Sequence, residues 1–409
     1  MKKIAIYLLR AGLNFIYFFL KLLPVKQNKV VFLSRQSDTL TLDFAMVQEE
    51  LKRQQPYVEI VTLCSRLEGE KSGGLMRFGV ATLKSMYHMA TSGACVLDAY
   101  WPAVSLLHHK KSLTVIQMWH ALGKIKQSGY QTLGRESGRS AEMAHLMKMH
   151  ENYDYIIAGG KAWNPYYCQS FNTTEERLVN CGLPRIDHLL ETAEANRRAV
   201  LDAYPQFAGK TVILYAPTFR KNIALHWEEL TDAVAEANQR EKDQYVLIVK
   251  GHPNQKLKAG DRPNIFDCPD FTAVDLLAAC DYLITDYSAI ALEGAVLSRP
   301  TWYFVYDYEE YREKNGMNID LFEVMPGCVF REGHELMKRL ASADRAARTD
   351  EIRRDAMPYP RKVLNAYRKA YLPEHLGTST RQTADLILRC MMEGKEAPDN
   401  QTFCAREDA

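Results

Sequence analysis

The segment Asp281–Asp320 reads DYLITDYSAIALEGAVLSRPTWYFVYDYEEYREKNGMNID and combines an apolar run, a hydroxyl-bearing turn and a helical pattern. Tyr282–Ile284 is typical of a short buried strand, Thr285–Ser288 of a turn, and Ala289–Leu297 of a helix built from good helix formers. The first turn of a helix offers unpaired N–H groups and the positive end of its dipole, and both favour an anion. The segment therefore predicts a phosphate-binding site. Simple capping of the helix by a side chain of the turn is the alternative.

The rest of the chain alternates short apolar runs with helix-length segments. Continuous apolar runs of this kind are typical of parallel strands that helices cover on both faces. Two such series, before residue 190 and after residue 208, predict an α/β fold with two doubly wound, Rossmann-type domains. The predicted strands are Val30–Ser34, Val58–Cys64, Ala94–Leu97, Leu113–Met118, Tyr155–Ala158, Leu178–Asn180, Val212–Tyr215, Val246–Val249 and Tyr282–Thr285.

The composition is that of a globular protein, with 47% hydrophobic and 25% charged residues. At 409 residues the chain exceeds the usual size of a single hydrophobic core, as expected for two domains. A formal net charge of +2 argues against a nucleic-acid-binding protein. Nine cysteines without a Cys-x-x-Cys pair or a metal-ligand spacing favour a reduced, cytosolic environment over a disulfide framework.

The N-terminus carries the basic excess of the chain and forms a predicted amphipathic, hydrophobic helix. Residues 1–37 contain seven Lys or Arg and no acid, whereas the remainder contains 45 basic and 50 acidic residues. Ile4–Val25 is rich in Leu, Ile, Phe and Tyr, but Arg10, Asn14 and Lys21 interrupt it and no signal-peptide cleavage site follows. This mixture favours a helix that lies in the membrane interface. A spanning helix, which would bury a charge in the bilayer, and a helix packed on its own domain stay open.

The predicted organisation has four parts. Residues 1–27 form the membrane-associating helix, residues 28–195 the N-terminal Rossmann-like domain, and residues 196–397 the C-terminal Rossmann-like domain with the C-terminal helices. The charged, helical segment Leu189–Val200 joins the two domains. Residues 398–409 form a flexible tail.

Polar residues follow the predicted strands in both halves of the chain. Ligands of open parallel sheets bind outside the carboxyl ends of the strands, so these residues are candidates for a site. A single histidine at a strand end is more often structural than catalytic, but two histidines, several hydroxyls and several cations together indicate a phosphate-handling site. The segments are Gln117–Lys126 (QMWHALGKIK), Ala158–Gly160, Ala216–Arg220 (APTFR), Lys250–Pro253 (KGHP) and Thr285–Ser288.

Several familiar motifs are absent from the sequence. It contains no Gly-x-x-x-x-Gly-Lys-Ser/Thr loop, no Gly-x-Gly-x-x-Gly and no Gly-x-Ser-x-Gly. Their absence argues against a P-loop enzyme, a dinucleotide enzyme and an α/β-hydrolase. His108, His109, His145 and His150 lack the spacing of one metal site and are interpreted as surface or packing residues.

Five blocks of this sequence resemble, in the same order, the CDP-glycerol glycerophosphotransferase family of teichoic acid synthesis. They are WHALGKIKQSGY (119–130), GLPRID (182–187), LYAPTFR (214–220), KGHPN (250–254) and DYLITDYSAIALEGAVLSRPTWYFVYDYEEY (281–311). The resemblance runs from Trp119 to Phe330 and implies a GT-B-like pair of Rossmann domains. In that family the N-terminal domain handles the acceptor and the C-terminal domain the CDP-alcohol. The hydrophobic N-terminus fits peripheral attachment to the cytoplasmic side of the cell membrane, where lipid-linked saccharide acceptors are found.

The resemblance implies a role for each matching residue. His120 would be the general base that deprotonates the acceptor hydroxyl, a role that suits imidazole because it titrates near operating pH. His252 would be a second catalytic residue that contacts the donor phosphates, and Arg220 would neutralise their charge. The other implied contacts are Thr218, Thr285, Asp286, Tyr287, Ser288 and Glu293 to the donor, with Trp119, Lys124 and Lys126 to the acceptor. Glu293 would bind the nucleotide ribose, and a buried acid in a local network is the alternative.

The implied reaction transfers glycerol phosphate from CDP-glycerol to an acceptor hydroxyl. The acceptor oxygen attacks the β-phosphate and CMP leaves, while fixed donors and cations stabilise the phosphoryl oxygens. The matching motifs contain no carboxylate cluster, so no tightly bound metal is predicted. Magnesium bound loosely to the CDP-alcohol stays open.

The sequence also departs from the family pattern. Ala121 and Leu122 stand where the family has glycine and a small polar residue, and Asn315 precedes Gly316 where the family often has arginine. The change at Ala121 and Leu122 affects the predicted acceptor pocket more than the predicted general base, His120. A CDP-ribitol transferase of the same family, a GT-B glycosyltransferase that uses a nucleotide sugar and a catalytically silent nucleotide-binding protein are the alternatives. The motifs do not distinguish priming from polymerisation, although the short chain favours one or few additions.

Overall fold

The computed structural model describes residues 2–66, 72–136, 138–218, 220, 227–251, 262–348 and 357–393. The chain divides into two compact units. The first unit contains Met1–Asp187 together with Pro373–Ala409, and the second contains His188–Leu372. Each unit holds a six-stranded sheet in which all neighbouring strands are parallel. The predicted α/β class with two doubly wound domains is therefore confirmed.

The strands and helices alternate along most of the chain. The strands are β1 (Lys26–Ser34), β2 (Glu59–Cys64), β3 (Ser92–Leu97), β4 (Thr114–Gln117), β5 (Tyr155–Ile157), β6 (Leu178–Val179), β7 (Thr211–Tyr215), β8 (Tyr245–Val249), β9 (Ile265–Phe266), β10 (Tyr282–Thr285), β11 (Thr301–Phe304) and β12 (Val329–Phe330). The helices are α1 (Lys2–Leu20), α2 (Leu42–Gln54), α3 (Ser72–Thr91), α4 (Pro102–Leu106), α5 (Ala141–Leu146), α6 (Asn164–Phe171), α7 (Arg185–Ala203), α8 (Glu228–Glu241), α9 (Ala273–Ala279), α10 (Ile290–Val296), α11 (Tyr308–Asn315), α12 (Leu321–Val324), α13 (Gly333–Arg348), α14 (Arg361–Tyr371) and α15 (Ser379–Glu393). All nine predicted strands are present, whereas β9, β11 and β12 were missed.

The sheet of the first unit has the strand order β2-β1-β3-β4-β5-β6. The order reverses between β1 and β3, and in doubly wound sheets the ligand crevice lies outside the carboxyl ends of the strands at such a reversal. Arg35 directly follows β1 and Asp98 directly follows β3. Asp98 accepts hydrogen bonds there from the Ser34 hydroxyl at 2.6 Å and from the Arg35 backbone N–H at 3.1 Å.

The sheet of the second unit has the order β12-β11-β10-β7-β8-β9. Numbered within the unit this is the order 3-2-1-4-5-6 of dinucleotide-binding Rossmann folds, with its reversal between β7 and β10. The segments that follow these two strands are the APTFR and TDYS sequences. Val212, Leu214, Val246, Ile248 and Leu283 are buried beneath the covering helices and form the core of this unit. The topology thus brings the two quoted motifs to the same edge of one sheet.

The predicted domain boundary requires a correction. The C-terminal helices were assigned to the second domain, but α15 belongs to the first unit and packs against α2, β1 and β3. Its Asp385 accepts a hydrogen bond from Gln54 of α2 at 2.7 Å, and Ile387 is fully buried. The dividing point between Asp187 and His188 falls inside α7 and not at residue 195. The predicted tail, residues 398–409, lies outside the described residues.

Polar residues of helix α1, and Lys21 directly after it, attach the helix to the first unit. Arg10 donates to the Leu146 carbonyl at 3.3 Å, Asn14 donates to the Leu106 carbonyl at 3.0 Å, and Lys21 donates to the His108 carbonyl at 2.7 Å. Tyr17 is buried against the unit, whereas eight other apolar residues of α1 point away from it and are about half to two-thirds exposed. They are Ile4, Tyr7, Leu8, Leu9, Phe15, Ile16, Phe18 and Phe19. In the described part of the chain, only α1 is long and apolar enough to cross a membrane.

Candidate active site

A strained turn after β4 positions His120. The Gln117 side chain at the end of β4 accepts a hydrogen bond from the Trp119 N–H at 2.8 Å. Trp119 has a φ of 62°, in the left-handed region that bulky residues rarely adopt. Backbone strain of this kind persists only where the surroundings enforce it, and it concentrates at functional sites. The turn places the His120 ring at 4.2 Å, centroid to centroid, from the Trp119 ring.

The hydrogen bond that His120 makes fixes its tautomer. Its Nδ1 lies 3.0 Å from the backbone carbonyl of Asp98, which follows β3. A carbonyl oxygen can only accept, so Nδ1 carries the proton and Nε2 keeps its lone pair. A general base requires an unprotonated nitrogen of this kind.

The surroundings of His120 also keep its ring neutral. Burial, together with the nearby cations Lys124, Arg185 and Lys126, lowers the pKa of His120 to about 4, against the opposing effect of the hydrogen bond to the Asp98 carbonyl. The imidazole is therefore uncharged at neutral pH. Its protonation state before reaction is that of a base, and the charge that it gains on accepting a proton would be stabilised by an anion nearby.

His120 lines a cavity of about 390 Å³ within the first unit. The cavity opens at the carboxyl ends of β1 and β3, where the strand order reverses. Its lining residues are Arg35, Gln36, Arg66, Ala99, Tyr100, Trp119, His120, Gly129, Thr132, Gly138, Arg139, Met149 and His150. The packing interpretation of His150 is confirmed, since this residue is buried and its ring contacts Phe171 and Tyr153.

Lys124, a predicted acceptor contact that stays a prediction, points into the first unit. Its side chain is buried, and the ammonium donates to the hydroxyls of Ser128 and Ser170, both at 3.1 Å. The same ammonium lies 4.1 Å from the centroid of the Trp119 ring. Lys124 therefore supports Trp119 from inside the unit. Lys126 and Trp119 are partly exposed, and their predicted contact with the acceptor stays a prediction.

The backbone of Leu122 explains the glycine Gly159, which follows β5. A Cβ on Gly159 would lie 2.2 Å from the Leu122 carbonyl oxygen, so only glycine allows the two backbones to approach. Leu122, where the sequence departs from the family pattern, is itself buried. The close backbone approach predicted for Ala158–Gly160 is therefore present.

In the second unit, Arg220 joins the segments that follow β7 and β11. Its guanidinium donates to both carboxylate oxygens of Asp307, at 2.7 and 3.1 Å, and to Asp286 at 2.6 Å. The Arg220 side chain is fully buried, and its pKa is raised by these two carboxylates against the opposing effect of burial. Two carboxylates neutralise this cation, and the predicted contact of Arg220 with donor phosphate stays a prediction. Arg220 positions the turn.

The TDYS turn itself points largely inward. The Thr285 hydroxyl donates to the Ala216 carbonyl at 2.7 Å, Asp286 accepts from the Thr218 N–H at 2.8 Å, and the Tyr287 hydroxyl donates to Asp307 at 3.1 Å. These contacts leave Thr285, Asp286 and Tyr287 buried, and their predicted contact with the donor stays a prediction. Helix α10 starts without a side-chain cap, so the capping alternative does not hold.

Ser288 and Thr218 remain candidates for donor contact. Ser288 is partly exposed at the start of α10, and the buried Thr218 hydroxyl has no hydrogen-bond partner among the described residues. Glu293 is buried on α10, and its charge contributes to the pKa of Tyr367 on α14, which burial raises. This position favours the interpretation of Glu293 as an internal acid. His252 lies outside the described residues, and its predicted role stays a prediction.

Other titratable side chains do not gather into a metal site in the described part of the chain. It contains no group of three or more His, Cys, Asp or Glu side chains close enough to hold a metal ion. The residues that the motifs failed to indicate are Arg35, Asp98 and Arg139. Arg35 and Asp98 directly follow predicted strands, so the strand-end rule that found His120 would also have found these two.

Comparison with known proteins identifies the family. Residues 15–365 match the family described as CDP-glycerol:poly(glycerophosphate) glycerophosphotransferase. Teichoic acid ribitol-phosphate primase of Bacillus spizizenii is 29% identical over 384 residues, which cover 92% of this chain and 94% of the primase. Teichoic acid poly(ribitol-phosphate) polymerase of the same species is 31% identical over 335 residues, 79% of this chain and 52% of the polymerase.

A solved structure confirms the likeness of fold. Wall teichoic acid polymerase TagF superposes on this chain with a TM-score of 0.71 and 20% identity, and the match covers 97% of this chain and 99% of the TagF chain. The family match spans most of the sequence and includes every block on which the resemblance was based. The chain therefore belongs to the CDP-glycerol:poly(glycerophosphate) glycerophosphotransferase family of phosphotransferases.

Proposed function

We propose that this protein transfers glycerol phosphate from CDP-glycerol to a hydroxyl of a membrane lipid-linked saccharide acceptor in teichoic acid synthesis, with release of CMP. The observation that carries the proposal is the geometry of His120. The Nδ1 proton of the neutral His120 imidazole is held by the Asp98 carbonyl. The same ring lines a cavity large enough for a substrate group. Its Nε2 accepts the proton of the acceptor hydroxyl.

The proposed step is a displacement at phosphorus. As the proton moves to Nε2, the acceptor oxygen forms a bond to the β-phosphorus and the bond to the CMP oxygen breaks. The second unit binds the cytidine nucleotide at the reversal between β7 and β10, where nucleotides bind in sheets of this order. We keep the prediction that the protein holds no metal tightly and that any magnesium arrives with the donor.

CDP-ribitol is the second candidate donor. The observation in its favour is the likeness to a ribitol-phosphate primase, which covers nearly the whole of both chains. The family name favours CDP-glycerol. CDP-glycerol and CDP-ribitol differ only in their alcohol. The same base and the same leaving group, CMP, therefore serve both reactions.

Thermal unfolding with nucleotides tests the proposed donor class. A ligand that binds the folded state raises the free energy of unfolding by about 2.7 kcal/mol at a concentration one hundred times its Kd. We expect CDP, CDP-glycerol or CDP-ribitol to raise the unfolding temperature, and UDP and UDP-sugars to leave it unchanged. Protection by UDP and not by CDP would favour the nucleotide-sugar glycosyltransferase instead.

We further propose that α1 lies on the cytoplasmic face of the membrane. Its polar residues hold it against the first unit, so its exposed apolar residues face outward along its length. The neighbouring helix α3, which contacts α1, exposes a second apolar stripe at helical spacing: Met76, Val80, Leu83 and Tyr87. A helix held along its side in this way suits an interfacial orientation better than a spanning one.

Substitution of two exposed aromatic residues tests this attachment. Phe15 and Phe19 are 67% and 53% exposed, and their rings contact each other at 5.2 Å. Each buried phenylalanine contributes about 1.5–3 kcal/mol, so we expect the Phe15→Ser, Phe19→Ser double variant to bind vesicles about a hundredfold more weakly. Sedimentation with phosphatidylglycerol–phosphatidylethanolamine vesicles measures this binding. Tyr57→Ser, which removes another exposed ring, is the control, and equal sedimentation of all three proteins would contradict the proposal.

A further inference from the structure

The segment Trp119–Lys124 closes on itself around His120. The Lys124 ammonium lies 4.1 Å from the centroid of the Trp119 ring, so the two ends of the segment are in contact. The Trp119 ring in turn lies 4.2 Å, centroid to centroid, from the His120 ring. We propose that Lys124 is a positioning residue of the transfer reaction, which holds the His120 imidazole in place through the Trp119 ring. The inference rests on the proposed function and adds a residue to it.

One face of helix α6 builds the surroundings of the Lys124 ammonium. Tyr167, Ser170 and Phe171 are spaced three and four positions apart, so they lie on the same face of the helix. The ammonium lies 5.1 Å from the centroid of the Tyr167 ring and 4.2 Å from that of Phe171, and it donates to the Ser170 hydroxyl at 3.1 Å. Together with Trp119, three aromatic rings thus surround one buried cation. Attraction between a cation and the face of a ring is strongest in a desolvated site of this kind.

These contacts fix the backbone on both sides of His120. The Trp119 ring is held between the ammonium and the edge of the Phe171 ring, whose centroid lies 5.1 Å away. After His120, the Ala121 carbonyl accepts a hydrogen bond from the Tyr167 hydroxyl at 3.3 Å. The strained φ of Trp119 persists only where its surroundings enforce it, and the ring contacts provide that enforcement. The imidazole is therefore kept against the Asp98 carbonyl by contacts that do not involve the imidazole itself.

The charge of Lys124 acts on the same imidazole. Burial lowers the pKa of His120, and among the cations Lys124 has the largest effect in that direction, against the opposing effect of the hydrogen bond to the Asp98 carbonyl. Burial lowers the pKa of Lys124 as well, whereas the surrounding rings and hydroxyls favour its charged form. The titratable groups around His120 are Arg35, Arg66, Asp98, Tyr100, Lys124, Lys126, Arg139, His150 and Arg185. Loss of the Lys124 charge should therefore raise the pKa of His120.

Replacement of Lys124 by methionine tests position and charge together. The variant should fold, because an apolar side chain of similar volume often replaces a buried charge without loss and the Ser128 and Ser170 hydroxyls, 2.9 Å apart, can pair with each other. We expect kcat for CMP release to fall about tenfold, with KM for the acceptor and for the CDP-alcohol within about twofold of wild type. The acid limb of kcat/KM should move up by about half a pH unit. A more basic imidazole alone would not lower kcat, so the fall reports lost position.

The alternatives for Lys124 give different results. Wild-type kcat in Lys124→Met would overturn the inference. So would a raised KM for the acceptor with an unchanged kcat, which would make Lys124 an acceptor contact. A lower kcat with an unmoved acid limb would show a general loss of packing and would overturn it too. Lys52→Met, which removes an exposed lysine of α2 in the same unit, is the matched control and should behave like wild type.

Replacement of Phe171 by leucine tests the same contact without removing the charge, and it serves if Lys124→Met does not fold. Leucine keeps the site apolar but removes one ring from the ammonium and from the edge of Trp119. We expect kcat to fall about fivefold while the acid limb stays at its wild-type position. An unchanged kcat in Phe171→Leu would overturn the inference.

Nuclear magnetic resonance separates this inference from the proposed function, because it requires no turnover. It also isolates His120 from Asp98, whose pKa burial raises to about 6. The histidine signal that His120→Ala removes should titrate near pH 4 in wild type and Lys52→Met, and about half a unit higher in Lys124→Met. The indole N–H signal of Trp119 should shift in Lys124→Met alone among these three proteins.

The two outcomes of this titration are distinct. If the protein releases no CMP from any CDP-alcohol but both signals change as expected, the proposed function fails and the hold of Lys124 on Trp119 and His120 stands. Equal midpoints for His120 and an unmoved Trp119 signal in all three proteins would overturn the inference.

Discussion

Replacement of His120 by alanine is expected to lower kcat for CMP release about a thousandfold, while the affinity for CDP stays within about twofold of wild type. The reason is that only His120 presents an unprotonated imidazole nitrogen in the cavity with its other nitrogen fixed by a carbonyl. The nucleotide is proposed to bind in the second unit, which contains none of the atoms that the substitution removes. Initial rates of CMP release and CDP titrations measure the two quantities.

His120→Asn distinguishes a base from a positioning residue. An asparagine side chain can still donate to the Asp98 carbonyl, but it has no nitrogen lone pair to accept a proton. If His120 is the base, the asparagine variant is as inactive as the alanine variant. Substantial activity in His120→Asn would show that the hydrogen bond to Asp98 is what matters. His145→Ala, which removes an exposed imidazole from α5, is the matched control.

Replacement of Arg220 by glutamine is expected to destabilise the second unit by about 3–5 kcal/mol. The substitution leaves the Asp286 and Asp307 carboxylates buried without the cation that both contact. Removing one partner of a buried ion pair costs this much because the remaining charge is uncompensated. Urea denaturation, followed by a probe of the second unit, measures the loss.

The control for Arg220 is Arg331→Gln. Arg331 belongs to the same unit and pairs with Glu309, but both side chains are more than half exposed, and such a pair contributes about 0–1 kcal/mol. An Arg220→Gln protein that unfolds like wild type but binds CDP more weakly would return Arg220 to the donor site. That result would contradict the positioning role.

The strands were predictable because each is a short run of apolar residues bounded by turns. β11 was missed since Thr301–Phe304 opens an aromatic run that continues through the next helix, so no polar boundary marks its end. The structure explains these aromatics. Trp302 is fully buried in the sheet, and Tyr311 stacks on Tyr287 with ring centroids 4.0 Å apart. Aromatic side chains thus surround the buried charges of Arg220 and its partners.

The candidate site was predictable only as far as the strand ends. The position of a residue after a strand predicts which edge of the sheet it occupies, but not where its side chain points. Arg220 points to Asp307, a partner 87 residues away that no local pattern reveals. Lys124 turns inward because Trp119 and two serines surround it. Both residue types suit phosphate, and in both cases long-range packing gives the side chain internal partners that the local sequence does not reveal.

The predicted domain boundary was wrong for a similar reason. Helix α15 follows the second unit in sequence but returns to the first, where it covers β1 and β3. Its apolar pattern predicts a buried face but carries no information about which sheet covers that face. Contacts between residues 331 positions apart, such as that of Gln54 with Asp385, are visible only in the folded chain.

The mass of the product tests the central claim most directly. Wild-type protein is incubated with CDP-glycerol or CDP-ribitol and a lipid-linked acceptor, and mass spectrometry of the lipid is combined with a count of the CMP released. The account predicts an acceptor that gains one alcohol phosphate for each CMP, and no such gain with His120→Ala. An acceptor that gains a sugar from a nucleotide sugar, or an unchanged yield with His120→Ala, would contradict it.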